Sequence, residues 1–132
     1  MLSFEPIADR PILDNLSERI FGRKFPYEIG FVLVVDGVKV GLARIEISNR
    51  EATLIMLGVL PEMRKKGYGD FFTRSLLSVM SGVSKSLRID YYAEYFFKFG
   101  FKRHGTGMRI FSDRLVFPTE CGRQGAVPTS HA

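Results

Sequence analysis

The feature that most constrains this fold is an apolar segment that runs into a basic, glycine-containing turn. Residues 52–60 are apolar at nearly every position, which predicts a central strand covered on both faces. Pro61 follows this strand, and a short basic segment then leads into an apolar helical pattern. The residues on the apolar side of that helix include Phe72, Leu76, Val79 and Val83. The chain therefore passes from the middle of a sheet, through a turn, directly into a helix.

The turn between the strand and the helix has the composition of an anion-binding site. The first N–H groups of a helix have no intrahelical partner, and the helix dipole places partial positive charge there. Gly67 and Gly69 leave room for a pyrophosphate to approach the backbone. Three consecutive cations supply the counter-charge, namely Arg64, Lys65 and Lys66. The sequence therefore predicts a site for a phosphate-bearing ligand at this turn.

Two side chains at the start of the helix, Asp70 and Tyr68, lie close to this predicted ligand site. Asp70 falls in the first helical turn, where the dipole favours an acid by about 0.3–1 kcal/mol. Its charge would repel a bound pyrophosphate, so we expect the side chain to turn outward and to serve in capping instead of ligand contact. Tyr68 is interpreted as a packing ring or as a lid over the phosphates.

The spacing Arg-x-x-Gly-x-Gly after a Val-x-Pro strand end resembles the acetyl-CoA loop of the GNAT superfamily of N-acetyltransferases. It differs from the glycine spacing of the Walker loop and of the dinucleotide fingerprint. A second segment, residues 92–101, resembles the helix and the Gly-Phe strand start that close the GNAT core. The two motifs follow one another in the GNAT order, and the resemblance extends over residues 1–117 in layout.

The resemblance implies a three-layer α/β fold, with a mixed central sheet that splays at the cofactor site and helices on both faces. It implies acetyl-CoA as the co-substrate, and transfer of its acetyl group to a primary amine by direct attack in a ternary complex. Leu57 and Val59 would offer backbone groups to the pantetheine arm, and residues 64–70 would hold the pyrophosphate. Gly58 is consistent with a strand bulge at the point where the strands part.

The resemblance leaves the catalytic acid and base open. The family's tyrosine that protonates the leaving thiolate, in the pattern Tyr-x-x-x-Gly-Phe, registers on Phe96, which has no proton to donate. Tyr95 is the predicted substitute, with Tyr92 as the alternative, and both also fit a role as core or rim aromatics. Glu46, on the polar side of the third strand, is the predicted base, and Glu28 competes for that role. Each carboxylate also fits a solvated or salt-bridged side chain.

Two alternatives to catalysis stay open. Because Phe96 stands at the tyrosine position, the same fold could hold acyl-CoA as a sensor or structural ligand without turnover. The formal net charge of +5 and the pI near 9.6 permit attraction to nucleic acid. We predict against nucleic acid because the basic residues are spread along the chain. The predicted partner is an amine-bearing small molecule or protein, and the edge strands also allow a homodimer.

Composition indicates one domain of ordinary globular character, with 132 residues, 45% hydrophobic and 25% charged. No apolar run approaches the ~20 residues that a membrane span needs, and the N-terminus does not resemble a signal peptide. Cys121 is the single cysteine, which fits a cytoplasmic location, and two histidines give no predicted metal site. Residues 118–132 have little apolar content, so we expect a flexible tail after a domain of residues 1–117.

Periodicity and turn signals predict the remaining elements. Residues 3–7 read as an edge strand, and a helix is expected from Pro11 to Gly22, followed by a loop over residues 23–30. Asp36-Gly37 is a strong signal for a two-residue hairpin turn between two strands. The later predictions are a helix ending near Gly82, a strand over residues 87–91, a helix over residues 92–99, and a hairpin of residues 101–104 and 108–117.

Overall fold

A mixed sheet of seven strands organises the part of the chain that the computed structural model describes, residues 1–118. The strands are β1 (Leu2–Ile7), β2 (Gly30–Val35), β3 (Val38–Ser48), β4 (Glu51–Val59), β5 (Ser86–Ile89), β6 (Lys102–His104) and β7 (Gly107–Phe111). They lie in the order β1-β2-β3-β4-β5-β7-β6, and β4–β5 is the parallel pair. The predicted tail beyond residue 118, with Cys121, lies outside the described residues.

Two α-helices cover opposite faces of this sheet. The first, α1 (Arg10–Phe21), packs on the face that carries Leu42 of β3. The Leu13 side chain of α1 and the Leu42 side chain both lie next to Gly30, where each would contact an added Cβ. The second, α2 (Tyr68–Val83), packs on the other face, where the Phe72 ring is tilted against the Phe4 ring with 6.4 Å between their centres. The predicted three-layer arrangement is therefore confirmed. Among residues 1–118, no helix combines the length and the apolar character that a membrane span requires.

The first half of the chain follows the sequence prediction closely. Asp9 caps α1, because its carboxylate accepts a hydrogen bond from the Ile12 N–H at 3.2 Å, and Gly22 ends the helix in the left-handed region at φ 80°. Asp36 and Gly37 both have positive φ, 50° and 82°, as a two-residue primed hairpin turn requires. No helix forms over residues 22–29, which confirms the predicted loop.

The apolar side of α2 differs from the prediction. Phe72 and Leu76 are fully buried, but Val79 and Val83 are 43% and 58% exposed. The buried stripe of the helix instead continues through Thr73, Leu77 and Met80. The helix runs from Tyr68 to Val83, so its predicted end near Gly82 is confirmed.

The predicted helix over residues 92–99 is shorter than expected and is of the 3₁₀ type. The segment forms a short 3₁₀ helix, Glu94–Phe99, which Gly100 ends at φ 101°. Residues three apart eclipse one another in a 3₁₀ helix, so Phe96 and Phe99 both enter the core. Tyr92 precedes the helix and is 38% exposed, as a rim aromatic is.

The final hairpin is shorter than predicted. Strand β7 ends at Phe111 because residues Ser112–Arg114 form a further 3₁₀ turn. Gly107 begins β7 in close contact with β5, where an added Cβ would stand 2.1 Å from the Ile89 carbonyl oxygen. Only glycine fits at that position.

Candidate functional site

Strands β4 and β5 part half-way along β4. They pair over four residue pairs, from Glu51↔Ser86 to Leu54↔Ile89. The bond from the Asp90 N–H to the Leu54 carbonyl, at 2.9 Å, follows the last of these pairs. Beyond it, β4 continues to Val59 in register with β3 alone. A gap therefore opens between the second half of β4 and the chain that leaves β5.

A bulge in β4 marks the place where this gap begins. Arg44 pairs with Met56 but Ile45 pairs with Leu54, so Ile55 is the extra residue on β4. The prediction of a bulge at Gly58 is therefore wrong, because Gly58 pairs with Leu42 in regular register. A bulge increases the local twist of a strand, and this bulge directly follows Leu54, the last β4 residue that pairs with β5.

Backbone groups of β4 face the gap at the positions that the sequence predicted. The Leu60 N–H donates to the Val40 carbonyl at 2.8 Å, so Leu60 faces β3. Because bonding alternates along an antiparallel pair, Leu57 and Val59 turn their N–H and C=O groups to the other side, into the gap. Arg64 Nε reaches back and donates to the Val59 carbonyl at 3.2 Å. Arg64 is thereby fixed at the rim of the gap.

The loop after β4 presents an open cradle at the start of α2. Lys65 and Gly67 have positive φ, 64° and 83°, and Gly67 is the residue that caps the helix. The first helical bond runs from the Phe71 N–H to the Gly67 carbonyl, so the N–H groups of residues 68–70 lie ahead of it. A Cβ on Gly67 would meet no atom within 4 Å. Lys65 and Lys66 are exposed and form no ion pair within residues 1–118.

The Asp70 side chain does not turn outward as expected. Its carboxylate is 8% exposed and is 2.7 Å from Arg74 Nε and 3.2 Å from Lys98 Nζ, and it accepts a hydrogen bond from the Tyr95 hydroxyl. No side chain caps α2, so the predicted capping role is also wrong. Burial raises the pKa of Asp70, but the hydrogen bonds from Tyr95 and Arg74 and the charge of Lys98 outweigh it and hold the pKa below its usual range.

This ionic cluster joins α2 to the 3₁₀ helix at Glu94–Phe99. Lys98 Nζ also lies 4.2 Å from the centre of the Tyr95 ring. Burial, the hydrogen bond to Asp70 and its negative charge raise the pKa of the Tyr95 phenol. The Tyr95 phenol therefore keeps its proton and donates it in a hydrogen bond to the Asp70 carboxylate. Sequence spacing could have indicated Arg74, four residues after Asp70 on one helix, but nothing local indicated Lys98.

Tyr91 is a residue that the sequence interpretation overlooked. It follows Asp90 directly, so it is the first residue past the last β4–β5 bond. Its hydroxyl is buried and has no hydrogen-bond partner within residues 1–118, and its ring packs edge-on against Phe96, 5.8 Å between centres. Burial raises the pKa of this phenol. The Tyr91 hydroxyl is therefore a buried donor without an acceptor within residues 1–118, on a residue that follows the last β4–β5 bond.

Glu46 lies beside the start of the gap and next to the loop of residues 22–29. It is opposite Thr53 on β4, one residue before Leu54, and Arg44 NH2 lies 3.5 Å from its carboxylate. Arg44 also stacks on Tyr27 at 4.8 Å and donates to the Ile29 carbonyl at 3.0 Å. The structure thus brings Glu46 together with this loop, whereas Tyr95 belongs to the separate cluster around Asp70.

Comparison with known proteins gives matches among solved structures. No family model matches the chain, and no curated protein matches it. A GNAT family acetyltransferase from Brucella melitensis, solved in complex with acetyl-CoA, superposes with a TM-score of 0.62 over 96% of both chains at 16% identity. The ribosomal-protein-S18-alanine N-acetyltransferase of Escherichia coli superposes with a TM-score of 0.65, over 83% of this chain and 90% of that one, at 17% identity.

Tetrahymena GCN5 gives a TM-score of 0.63 at 19% identity, over 86% of this chain and 98% of that one. The chain has the GNAT fold. The fold class that the two sequence motifs predicted is therefore confirmed, and at these identities the likeness is one of fold. In this GNAT fold, the gap opens at the bulge half-way along β4 and leads to the basic glycine loop that follows the end of the strand.

Proposed function

We propose that the chain is an N-acetyltransferase that moves an acetyl group from acetyl-CoA to a primary amine within a ternary complex. The observation that carries the proposal is the gap between β4 and β5, which leads directly to the basic glycine loop at the start of α2. Together they offer an extended backbone edge and an anion cradle in line. The likeness to a Brucella melitensis acetyltransferase in complex with acetyl-CoA supports the same co-substrate, and we propose residues 1–117 as one catalytic domain.

The residues around the gap fit acetyl-CoA in two ways. The N–H groups of Leu57 and Val59 face the gap, where an extended pantetheine arm can pair with them like an added strand. The pyrophosphate would lie on the helix N-terminus, between the Lys65 and Lys66 ammonium groups and the N–H groups from Gly67 to Asp70. Asp70 contributes its backbone N–H there, because its carboxylate is held by Arg74 and Lys98. Tyr68 and Gly69 are half-buried and belong to the same helix N-terminus, so we propose that they also contact acetyl-CoA.

Acetyl transfer needs a base for the amine and a proton for the departing sulfur. The amine lone pair attacks the thioester carbonyl, a C–N bond forms, the C–S bond breaks, and the sulfur keeps the bonding pair. Glu46 is the proposed base. It is opposite Thr53, one residue before the gap begins on β4, and Arg44 links it to the loop of residues 22–29. We assign the proton donor to Tyr91, whose buried hydroxyl has no internal acceptor, in place of Tyr95, whose proton is held by Asp70.

The acceptor would enter beside the loop of residues 22–29. This loop is held firmly: Arg10 donates to the carbonyls of Phe25 and Tyr27 at 2.8 and 3.0 Å, and Asp14 accepts from the Phe25 N–H at 3.0 Å. Glu28 on this loop is exposed, and with Glu46 it favours a cationic acceptor, either a small amine or a protein amine. A homodimer remains a prediction from the edge strand of the final hairpin, β6.

A binding module without turnover is the second candidate, and one observation favours it. Phe96 is fully buried at the position where the family has its tyrosine, so the usual acid is absent and its space is filled. Such a module would bind acetyl-CoA through the same loop and release no CoA in the presence of any amine.

Turnover against a panel of amines tests the proposal. CoA release should be followed by chromatography, which does not depend on the thiol of Cys121. We expect release with at least one amine, and its loss in Gly67→Glu, which puts a bulky anion in the cradle. Gly22→Glu is the matched control for acetyl-CoA binding, because Gly22 has the same backbone geometry, φ 80° against 83°, and equally open surroundings. Acetyl-CoA binding with no release across the panel would contradict catalysis and favour the binding module.

A further inference from the structure

A second basic surface lies at the end of the sheet opposite the cofactor loop. Three cavities adjoin there, of about 630, 250 and 340 Å³. The first two share Phe111 and Arg114 in their walls, and the first and third share Ser84 and Lys85. Shared walls make them one continuous surface, which we call the basic groove. It runs from the outer edge at β6, past the ends of β7 and β5, to the β3–β4 turn.

Backbone and side-chain hydrogen bonds hold the groove in shape. The Ser112 N–H donates to the Lys85 carbonyl at 2.8 Å, and its hydroxyl donates to the Ser84 carbonyl. The Lys85 N–H donates in turn to the Arg50 carbonyl at 2.9 Å. Three segments that are distant in sequence are therefore fixed side by side.

The walls of the groove are strongly cationic. They contain a single carboxylate, Asp113, and six basic side chains: Arg50, Lys85, Lys102, Arg103, Arg109 and Arg114. Arg109 pairs with Glu51 at 3.2 Å and Arg103 stacks on Tyr92 at 4.2 Å. The other four form no ion pair within residues 1–118. The basic residues are dispersed along the sequence, and the fold gathers these six on one surface.

The groove is separate from the proposed cofactor site. It borders Arg50, directly before the start of β4, whereas the cofactor loop follows Val59 at the end of this strand. Eight residues of extended strand, at about 3.3 Å each, place the two ends about 25 Å apart. A ligand in the groove therefore does not overlap the cradle at Gly67.

We propose that the basic groove binds single-stranded nucleic acid. The positive charge of the groove favours a polyanion. The Phe111 ring, which is 55% exposed, favours a nucleic acid over other polyanions. Phe111 lies between the first two cavities, with the Arg109 guanidinium 5.5 Å from its ring centre. Bases stack on such rings in single-strand sites, whereas the carboxylate groups of an acidic peptide do not stack on them. The groove crosses β6, β7, β5 and β4, about 14 Å at ~4.8 Å per strand, which suits a few nucleotides.

Fluorescence anisotropy with labelled oligouridylate and oligothymidylate of about 12 nucleotides tests this. Four unpaired cations predict a slope of log K against log salt near −3, at about 0.7 per phosphate. Lys85→Glu/Arg114→Glu should abolish binding or reduce the slope by at least about 1.4. Phe111→Ala should weaken binding about tenfold while keeping the slope. The three side chains are exposed, so these variants keep the core intact.

The matched control is Arg23→Glu/Lys24→Glu, which makes the same change in net charge at exposed sites outside the groove. It should leave binding within about twofold of the native value at equal salt. Equal weakening by this control would overturn the proposal, as would displacement of the oligonucleotide by excess CoA. Equal affinity for polyglutamate, or no binding at low salt, would also overturn it. Tighter binding of one oligonucleotide than of the other would identify the ligand as RNA or DNA.

Discussion

Replacing Asp70 by Asn tests the buried ionic cluster most sharply, because the substitution keeps the shape of the side chain and removes its charge. The Asp70 side chain is 8% exposed and faces Arg74 at 2.7 Å and Lys98 at 3.2 Å. In Asp70→Asn the two cations would lose their counter-charge, while the side-chain oxygen could still accept a hydrogen bond from Tyr95. The variant therefore isolates the electrostatic part of the cluster.

Removing one partner of a buried ion pair typically costs about 3–5 kcal/mol. The Arg74 and Lys98 side chains are 23% exposed, so water recovers part of that loss, and we expect a decrease of about 2–3 kcal/mol in the free energy of unfolding. Asp113→Asn is the control, since Asp113 is exposed and forms no ion pair within residues 1–118. It should change the free energy of unfolding by less than about 0.5 kcal/mol.

Urea unfolding followed by circular dichroism, at neutral and at acidic pH, measures this effect. The pKa of Asp70 is lowered in the folded state, so its contribution is complete above the unfolded value of about 3.9 and is lost as the pH falls through the folded pKa. The difference between native protein and Asp70→Asn should therefore be full at neutral pH and shrink below about pH 3.9. A loss under about 1 kcal/mol, or one that does not change with pH, would refute the reasoning.

Three further predictions follow from single contacts. Gly107→Ala should lower the free energy of unfolding by more than about 3 kcal/mol, because the new Cβ would lie 2.1 Å from the Ile89 carbonyl oxygen. Gly82→Ala, at an open position on α2, should raise it by about 0.5–1 kcal/mol. Equal effects of the two variants in thermal or urea unfolding would contradict the packing. Tyr91→Phe should lower kcat about 100-fold with acetyl-CoA affinity unchanged, because it removes the proposed proton donor. Tyr95→Phe should instead lower the free energy of unfolding by about 1.5–3 kcal/mol, because it removes the hydrogen bond to Asp70. The reverse pattern would restore Tyr95 as the acid. Glu46→Gln should lower kcat by about 100-fold with unchanged acetyl-CoA affinity, and native kcat would remove Glu46 as the base.

Local signals predicted the parts of the fold that local energetics decide. Asp36 and Gly37 take the positive φ values that a two-residue turn demands, and Gly22 takes the left-handed conformation that ends α1. The apolar run of residues 52–60 forms the central strand, with all but Glu51 and Thr53 of β4 buried. Each of these outcomes depends on residues within a few positions of one another.

The errors arose where tertiary contacts override a local pattern. Phe96 and Phe99 are spaced for an α-helix as well as for a 3₁₀ helix, and only their contacts with the core distinguish the two. The bulge falls at Ile55 because the register with β3 shifts there, and no glycine marks that position. Glycine at position 58 was therefore a misleading signal.

The loop of the candidate site could be located from its motif, but its chemistry could not. Asp70 finds Tyr95 and Lys98 at 25 and 28 residues' distance along the chain, so its burial had no local signal. Tyr91 became notable only when the structure put its hydroxyl out of reach of any acceptor within residues 1–118. The basic groove was hidden for the same reason, since its cations come from separate segments.

Calorimetric titration of acetyl-CoA, on the native chain, on Gly67→Glu and on Gly22→Glu, tests the central claim most directly. The two variants carry the same residue in the same backbone conformation with open surroundings, so they share any cost of backbone strain. The account predicts 1:1 binding by the native chain and by Gly22→Glu, and none by Gly67→Glu. No binding by the native chain, or equal binding by all three, would contradict the assignment of the gap and its basic loop to acetyl-CoA.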